Sequence, residues 1–237
     1  MYQPGHGRFA VPDPAACLVE LAAVVPATLV TLAGDRLAAS IVPLLFDPAD
    51  GPFGTLRGHL ARVNPQWRDV SPDVEALAIF DGPDAYVSPR FYVSTRRSGR
   101  HVPTWNYTTV HAHGALAVRD DPGWLLDVVR RLTDRHEAGL PDGWSVDDAP
   151  ADYIAAELAG IVGVELRITR LEAKRKLSQN RAAVDVDGVI AGLASGLPRE
   201  RALALEMRHG SGRRQRPSAR GRAAARSRPS VATSMAP

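Results

Sequence analysis

The chain holds a single cysteine, Cys17, among 237 residues, which excludes an intramolecular disulfide framework. Such sparing use of cysteine is typical of a reducing compartment. No run of apolar residues approaches the length of a membrane span, and residues 1–10 lack the charged start and apolar core of a signal peptide. These absences predict a cytoplasmic protein with no membrane partner.

Acidic residues are missing from the C-terminal stretch 208–237, which contains eight arginines. Without those eight arginines, the chain keeps 21 basic and 26 acidic side chains, a net charge of −5. The basic character therefore belongs to the tail, which has almost no large apolar residue, and we expect it to be disordered over 209–237. Such a tail could bind DNA phosphates nonspecifically, or it could be an extension without a selected function.

Helix signals recur along the first 208 residues. Asp13-Pro14 and Asp121-Pro122 are each typical of a helix start, with aspartate as N-cap and proline in the first turn. The spacing of apolar residues predicts further helices over 150–160 and 198–208.

Strand signals predict an antiparallel arrangement. Strands over 27–32 and 37–46 would form a hairpin, and strands over 75–80 and 85–88 would be separated by a turn. Long strands are predicted over 104–119 and 161–171, where apolar side chains alternate. Long antiparallel strands with peripheral helices favour an α+β fold with a central sheet or barrel over an alternating parallel fold.

Residues 54–67 combine glycines, a threonine, a histidine and two arginines in one short stretch. If 56–63 form a short helix, Leu56 and Leu60 share one face, and Asn64-Pro65 ends the helix. A glycine-rich corner with cationic donors suits a phosphate group. The alternative is an ordinary surface turn with solvated arginines, and the residue types alone leave the choice open.

Two later stretches also carry polar and aromatic chemistry. Residues 102–107 alternate Trp105 and Tyr107 on one strand face, which could flank a flat ring, form a subunit interface or belong to the core. His111 and His113 follow on the same face, where two imidazoles could bind a metal, although packing is the commoner role. Residues 174–180 place three cations before three polar residues, a pattern that could clamp a phosphate or be a solvated charge run.

Six segments in this order resemble the PaiB-like family, described as FMN-binding negative transcriptional regulators. The segments are RGHLARVNP (57–65), GP (82–83) with YVSP (86–89), VPTWNY (102–107), HAHG (111–114), IVG (161–163) and KLSQN (176–180). Ala173 stands where such proteins more usually have glycine, a difference that affects a turn conformation and removes no donor.

The resemblance implies a split β-barrel of antiparallel strands with peripheral helices over 1–208. The wider fold includes pyridoxamine-phosphate oxidases and flavin reductases, which are homodimers with FMN in clefts between the subunits. In that fold a threonine, a basic turn and Asn-Pro commonly lie beside the flavin phosphate. The residues implied for the phosphate here are Thr55, Arg57, His59, Arg62 and Asn64.

Motif position within the family implies further contacts to FMN. Trp105 and Asn106 would flank the ring, and Lys176, Ser178 and Gln179 would meet its polar parts. The family description implies a negative transcriptional regulator rather than an enzyme. The alternative is a flavin-dependent oxidoreductase, because split barrels host both functions. No helix-turn-helix is recognisable, so a route to DNA is not explained.

Overall fold

The computed structural model describes residues 1–3, 7–68, 70 and 73–214. Seven antiparallel strands form a single sheet in the order β2-β1-β5-β6-β7-β4-β3. The strands are β1 (Ala27–Ala33), β2 (Arg36–Val42), β3 (Leu45–Asp47), β4 (Thr55–Ala61), β5 (Ala76–Val87), β6 (Thr104–Arg119) and β7 (Ile161–Lys176). The predicted α+β fold, a split β-barrel with peripheral helices, is confirmed.

The barrel closes where β2 runs into β3. Only Pro43 and Leu44 separate these two strands, yet β2 pairs with β1 and β3 pairs with β4. Because β2 and β3 are the two edges of the sheet, this short connection joins the edges. Proline cannot donate to a ladder, which favours the change of partner at Pro43. Gly58 permits the close approach of β4, since a Cβ there would lie 2.7 Å from the Pro43 carbonyl oxygen. The predicted strand over 37–46 is therefore two strands.

The predicted helix over 56–63 is wrong, because residues Thr55–Ala61 form strand β4 between β3 and β7. Leu56 and Leu60 are buried, as expected, whereas Val63 is 85% exposed. Positions i and i+4 share a face in a helix and also in a strand, so this spacing could not distinguish the two. The backbone partners on both sides decide for the strand.

The two short strands predicted over 75–80 and 85–88 are one continuous strand. β5 runs through Gly82-Pro83, and its pairing with β6 shifts register between Asp81 and Asp84. A bulge leaves residues outside the ladder, which is why a proline can be accommodated within the strand. β6 has the predicted bounds, and its pairing with β7 shifts register between His113 and Gly114.

Among the described residues, six helices surround the barrel: α1 (Pro14–Ala22), α2 (Thr95–Ser98), α3 (Pro122–Glu137), α4 (Ala151–Ala159), α5 (Ala183–Ala194) and α6 (Pro198–Arg214). Helix α1 packs into the barrel core through Leu18 and Leu21. Helices α5 and α6 form a second core with the end of β5, and Trp124 and Val128 of α3 pack with Leu45.

Three of the helices differ from the predictions. Helices α2 and α5 were not predicted. Helix α6 continues past residue 208 to Arg214, because adding a residue to an existing helix is far easier than starting one. The remainder of the predicted tail, 215–237, lies outside the described residues. Within the described part of the chain, no helix combines the length and apolar character needed to cross a bilayer.

Candidate functional site

Arg57, a predicted phosphate ligand, is held by carboxylates. Its Nε donates to Glu165 Oε2 at 2.9 Å, and its terminal nitrogens pair with Asp47 and Asp50. Arg119 donates to the other Glu165 oxygen at 2.6 Å, and Glu165 is only 4% exposed. Burial alone would raise the pKa of Glu165, but the hydrogen bonds from Arg119 and Arg57 lower it. This network ties β4 to β7 and β6.

Arg62 and Asn64 are also occupied within the fold. Arg62 pairs with Asp120 and donates to the carbonyls of Ala159 at 2.9 Å and Ile161 at 2.8 Å. Asn64 caps the 3₁₀ turn Pro65–Trp67 and donates to Ser40 Oγ at 3.0 Å. Both residues therefore stabilise the end of β4.

Thr55 and His59 complete the β4 group. Thr55 is buried and donates to the Asp50 carbonyl at 2.9 Å. Burial lowers the pKa of His59, and its buried Nδ1 has no hydrogen-bond partner among the described residues. The neutral imidazole of His59 and the hydrogen-bonded hydroxyl of Thr55 carry no positive charge. Because Arg57 and Arg62 are paired with carboxylates, the predicted residues on and after β4 offer a phosphate no unpaired cation.

A second group of predicted residues comes together where β6 meets the end of β7. The pairing of Tyr107 with Lys176 brings Asn106 to Ser178, and the Asn106 amide nitrogen lies 3.0 Å from Ser178 Oγ. Ser178 has a left-handed backbone, with φ of 63°, which turns the chain sharply after β7. Gln179 holds this turn, since its Oε1 accepts from the Leu177 N–H at 2.7 Å.

A small polar cavity of about 50 Å³ lies at this turn. Its lining consists of Phe9, Tyr92, Thr104, Asn106, Lys176, Ser178, Asn180 and Arg181. The Lys176 ammonium donates to Thr104 Oγ1 at 2.5 Å and to the Trp105 carbonyl at 2.6 Å. Burial lowers the pKa of Lys176, and the nearby positive charges of Lys174 and Arg181 lower it further. Within the described residues, neither Lys176 nor Arg181 forms an ion pair, unlike Arg57 and Arg62.

Two features of the cavity wall would suit a polar ligand. Tyr92 is fully buried, and its hydroxyl has no hydrogen-bond partner among the described residues. The Arg181 guanidinium lies 4.9 Å from the centre of the Tyr92 ring, which orients it by a cation–π contact. A buried hydroxyl without a partner carries a desolvation cost that a bound polar group would remove.

The face beside this cavity is aromatic and cationic. Lys174 and Lys176 are the only lysines of the chain, and their ammonium groups lie 5.5 and 5.9 Å from the Tyr107 ring centre. Trp105 is 42% exposed and donates to Asp84 at 2.7 Å, and its ring meets Tyr86 edge-on at 6.2 Å. Such a surface can contact a flat ring.

Sequence reasoning missed Arg181, Tyr92 and Thr104 at the cavity. Arg181 directly follows the KLSQN segment, so the polar run carried a usable signal. Tyr92 carried none, because it reaches the cavity from the connection between β5 and β6. His111 and His113 lie on one face with ring centres 6.3 Å apart, and the described residues hold no group of three or more potential metal ligands around them.

A family profile described as "Putative FMN-binding domain" matches residues 1–170. Protease synthase and sporulation protein PAI 2 of Bacillus subtilis is 34% identical, over 69% of this chain and 75% of its own length. An uncharacterised protein of Aspergillus fumigatus is 35% identical, over 66% of this chain and 76% of its own length.

Two solved structures share the fold at low identity. The flavocytochrome Anf3 of Azotobacter vinelandii has a TM-score of 0.53 at 12% identity, with 73% of this chain and 72% of that chain covered. A conserved hypothetical protein of Mycobacterium tuberculosis has a TM-score of 0.51 at 13% identity, with 77% and 94% covered. The polar cavity uses residues beyond 170 and so lies partly outside the matched region.

Proposed function

We propose that this chain, which belongs to the family of FMN-binding domains, holds FMN by its phosphate in the polar cavity at the end of β7. The family profile and the relative PAI 2 agree with the expected PaiB-like family and flavin cofactor. The observation that carries this proposal is the pair Lys176 and Arg181, which form no ion pair among the described residues, beside the unpartnered hydroxyl of Tyr92. Asp185 feels the charge of Arg181, which lowers the pKa of Asp185, but does not form an ion pair with it. A phosphate would supply both the missing negative charge and the missing acceptor.

The neighbouring groups fit the rest of this assignment. Thr104 accepts a hydrogen bond from Lys176 and keeps its own hydroxyl proton to donate to a phosphate oxygen. Asn106 and Ser178 bond to each other and shape the cavity wall. Trp105 is exposed beside the cavity and can cover one face of a flat ring. Gln179 acts on the turn rather than on the ligand. Of the ten residues predicted to bind FMN, the proposal keeps Asn106, Lys176 and Ser178, which line the cavity, and the neighbouring Trp105.

Replacing Lys176 by glutamine tests the phosphate position. Loss of a charged hydrogen bond to phosphate should weaken FMN binding about 10- to 100-fold, measured by quenching of flavin fluorescence. Arg36→Gln is the matched control, because it removes one positive charge from an exposed hairpin turn and should leave the affinity unchanged. Riboflavin, which has no phosphate, should bind wild type and K176Q alike. Equal FMN affinity in wild type and K176Q would place the phosphate elsewhere.

We further propose that the FMN-bound protein acts as a negative transcriptional regulator. The relative PAI 2 is named for protease synthesis and sporulation, two cellular processes. The resemblance to the PaiB-like family, described as negative transcriptional regulators, also supports this role. The regulator would be a cytoplasmic homodimer, in line with the single cysteine and with flavin clefts that form between subunits. It would reach DNA through a partner surface or through the arginine-rich residues after Arg214.

Transcript profiling in the native host tests this role. A deletion strain should show raised levels of a defined gene set, and a strain carrying K176Q should raise the same set if FMN is required. A chain truncated after Arg214 keeps helix α6 and separates the tail from the folded body. Unchanged transcripts in the deletion strain would end the regulatory proposal.

A flavin-dependent oxidoreductase is the second candidate, favoured by His111 and His113 on the same face as Trp105. Burial lowers the pKa of both imidazoles, so both are mostly neutral near pH 7 and could accept a proton. FMN, when bound, supplies hydride transfer, and the protein supplies orientation. Oxidation of reduced nicotinamide in the presence of FMN, abolished by His111→Gln, would support this candidate. No turnover would support the regulator.

A further inference from the structure

A second cavity opens on the outer face of β5 and β6, and neither the phosphate position nor the family description accounts for it. Its volume is about 510 Å³, within the range of small-molecule sites. The wall includes Trp105, Tyr107, Thr109, His111, Asp81 and Asp84. The register shift of β5 between Asp81 and Asp84 brings both carboxylates to the same wall.

One residue of the cavity wall, Thr109, has a buried hydroxyl that a ligand could hydrogen-bond. Thr109 is 7% exposed, and its hydroxyl has no hydrogen-bond partner among the described residues. A buried hydroxyl without a partner is costly, and an isosteric valine would be the cheaper residue if only packing mattered. Thr109 therefore fits a site in which a bound molecule completes its hydrogen bonding.

The charges on the wall indicate the kind of ligand. Asp84 accepts a hydrogen bond from Trp105 Nε1 at 2.7 Å, and neither Asp81 nor Asp84 forms an ion pair with any described residue. The lysines stand over the β7 side of Tyr107, whereas the two carboxylates belong to the β5 side. The wall also includes Met1, whose ammonium is paired with Glu172 at 2.7 Å. The cavity thus combines two aromatic rings with two carboxylates that form no ion pair among the described residues, a combination that can recognise organic cations.

We propose that this cavity binds a small organic cation, with its charge between Asp81 and Asp84 and its apolar body against Trp105 and Tyr107. The Thr109 hydroxyl bonds to a polar group of the same molecule. Lys176, in the wall of the polar cavity, donates to the Trp105 carbonyl at 2.6 Å, so the two cavities are neighbours and the cation would lie beside the flavin ring. That placement rests on the proposed function, whereas binding of the cation does not.

The probes are 1-methylnicotinamide, which is cationic, and nicotinamide, which has the same ring without the charge. Titration calorimetry on the full chain, with and without FMN, should show the cation binding about tenfold more tightly than the neutral compound. The double variant Asp81→Asn with Asp84→Asn should lose that preference and keep its FMN affinity. Asp35→Asn, in an exposed hairpin turn, is the matched control and should keep the preference.

Thr109→Val supplies an independent readout. The free protein should be as stable as wild type or more stable, because a buried unpartnered hydroxyl is removed. The cation should nevertheless bind more weakly. Equal affinity for the two probes in wild type, or a preference that survives in the double aspartate variant, would overturn the proposal. If the wild-type protein prefers 1-methylnicotinamide to nicotinamide but does not bind FMN, only the flavin assignment is overturned.

Discussion

A substitution of Arg57 distinguishes between two positions for the flavin phosphate, one beside β4 and one in the polar cavity at the end of β7. The resemblance alone implies that Arg57 binds phosphate, whereas the structure gives it Glu165, Asp47 and Asp50 as partners. We therefore predict that Arg57→Ala destabilises the fold and leaves the FMN affinity of the folded protein unchanged.

The size of the effect follows from the burial of the network. The Arg57 side chain is 16% exposed and that of Glu165 is 5% exposed, so the alanine variant leaves a buried carboxylate with fewer partners. Removing one member of a buried ion pair typically costs about 3–5 kcal/mol. Arg119 still donates to Glu165 at 2.6 Å, so we expect about 2–3 kcal/mol here. For a domain of this size, the melting temperature should fall by about 4–12 °C.

Urea unfolding and flavin fluorescence quenching measure the two quantities on the same samples. Arg167→Ala is the matched control, because Arg167 lies 4.0 Å from the same Glu165 but is 74% exposed. An exposed pair of this kind contributes roughly 0–1 kcal/mol, so the control should unfold close to wild type.

The pH dependence gives a further check on the network. Because the folded pKa of Glu165 lies below its ordinary value of 4.5, the carboxylate stabilises the fold above that pH and loses this contribution as the pH falls through the lowered value. The stability difference between wild type and Arg57→Ala should therefore shrink in acid. A tenfold loss of FMN affinity in Arg57→Ala, with unchanged stability, would refute the reasoning and return the phosphate to β4.

Two further predictions concern the core. Burial raises the pKa of the Cys17 thiol to about 11, so a thiol reagent at pH 7–8 should label it only after denaturant is added; rapid labelling of the native protein would contradict its burial. Gly163→Ala should lower the free energy of unfolding by about 1–3 kcal/mol, because a Cβ at this position overlaps the Trp124 ring. Gly139→Ala is the control, since its Cβ meets no atom within 4 Å, and it should melt like wild type. Equal melting temperatures for the two variants would mean that α3 can shift away from Gly163.

Elements with strong local signals were predictable. The aspartate–proline pairs at the starts of α1 and α3 cap those helices as expected, and the alternation along β6 matches its bounds. Helix α5 had no such signal, since Gly188 and Gly192 are poor helix formers. Those glycines are required by packing, because a Cβ at either position would collide with Phe91. Tertiary contacts thus account for a helix that local propensity disfavours.

The sequence by itself determined the strand-rich α+β fold, the family and the KLSQN segment at the end of β7, because these depend on residue types and short-range spacing. Only the tertiary structure decided which cations are free to meet a ligand. Arg57 is neutralised by Glu165, which is 108 positions away in the chain, while Lys176 and Arg181 form no ion pair in the described structure. The charge available to a phosphate depends on neighbours that folding brings together, and the spacing of basic residues along the chain does not record them.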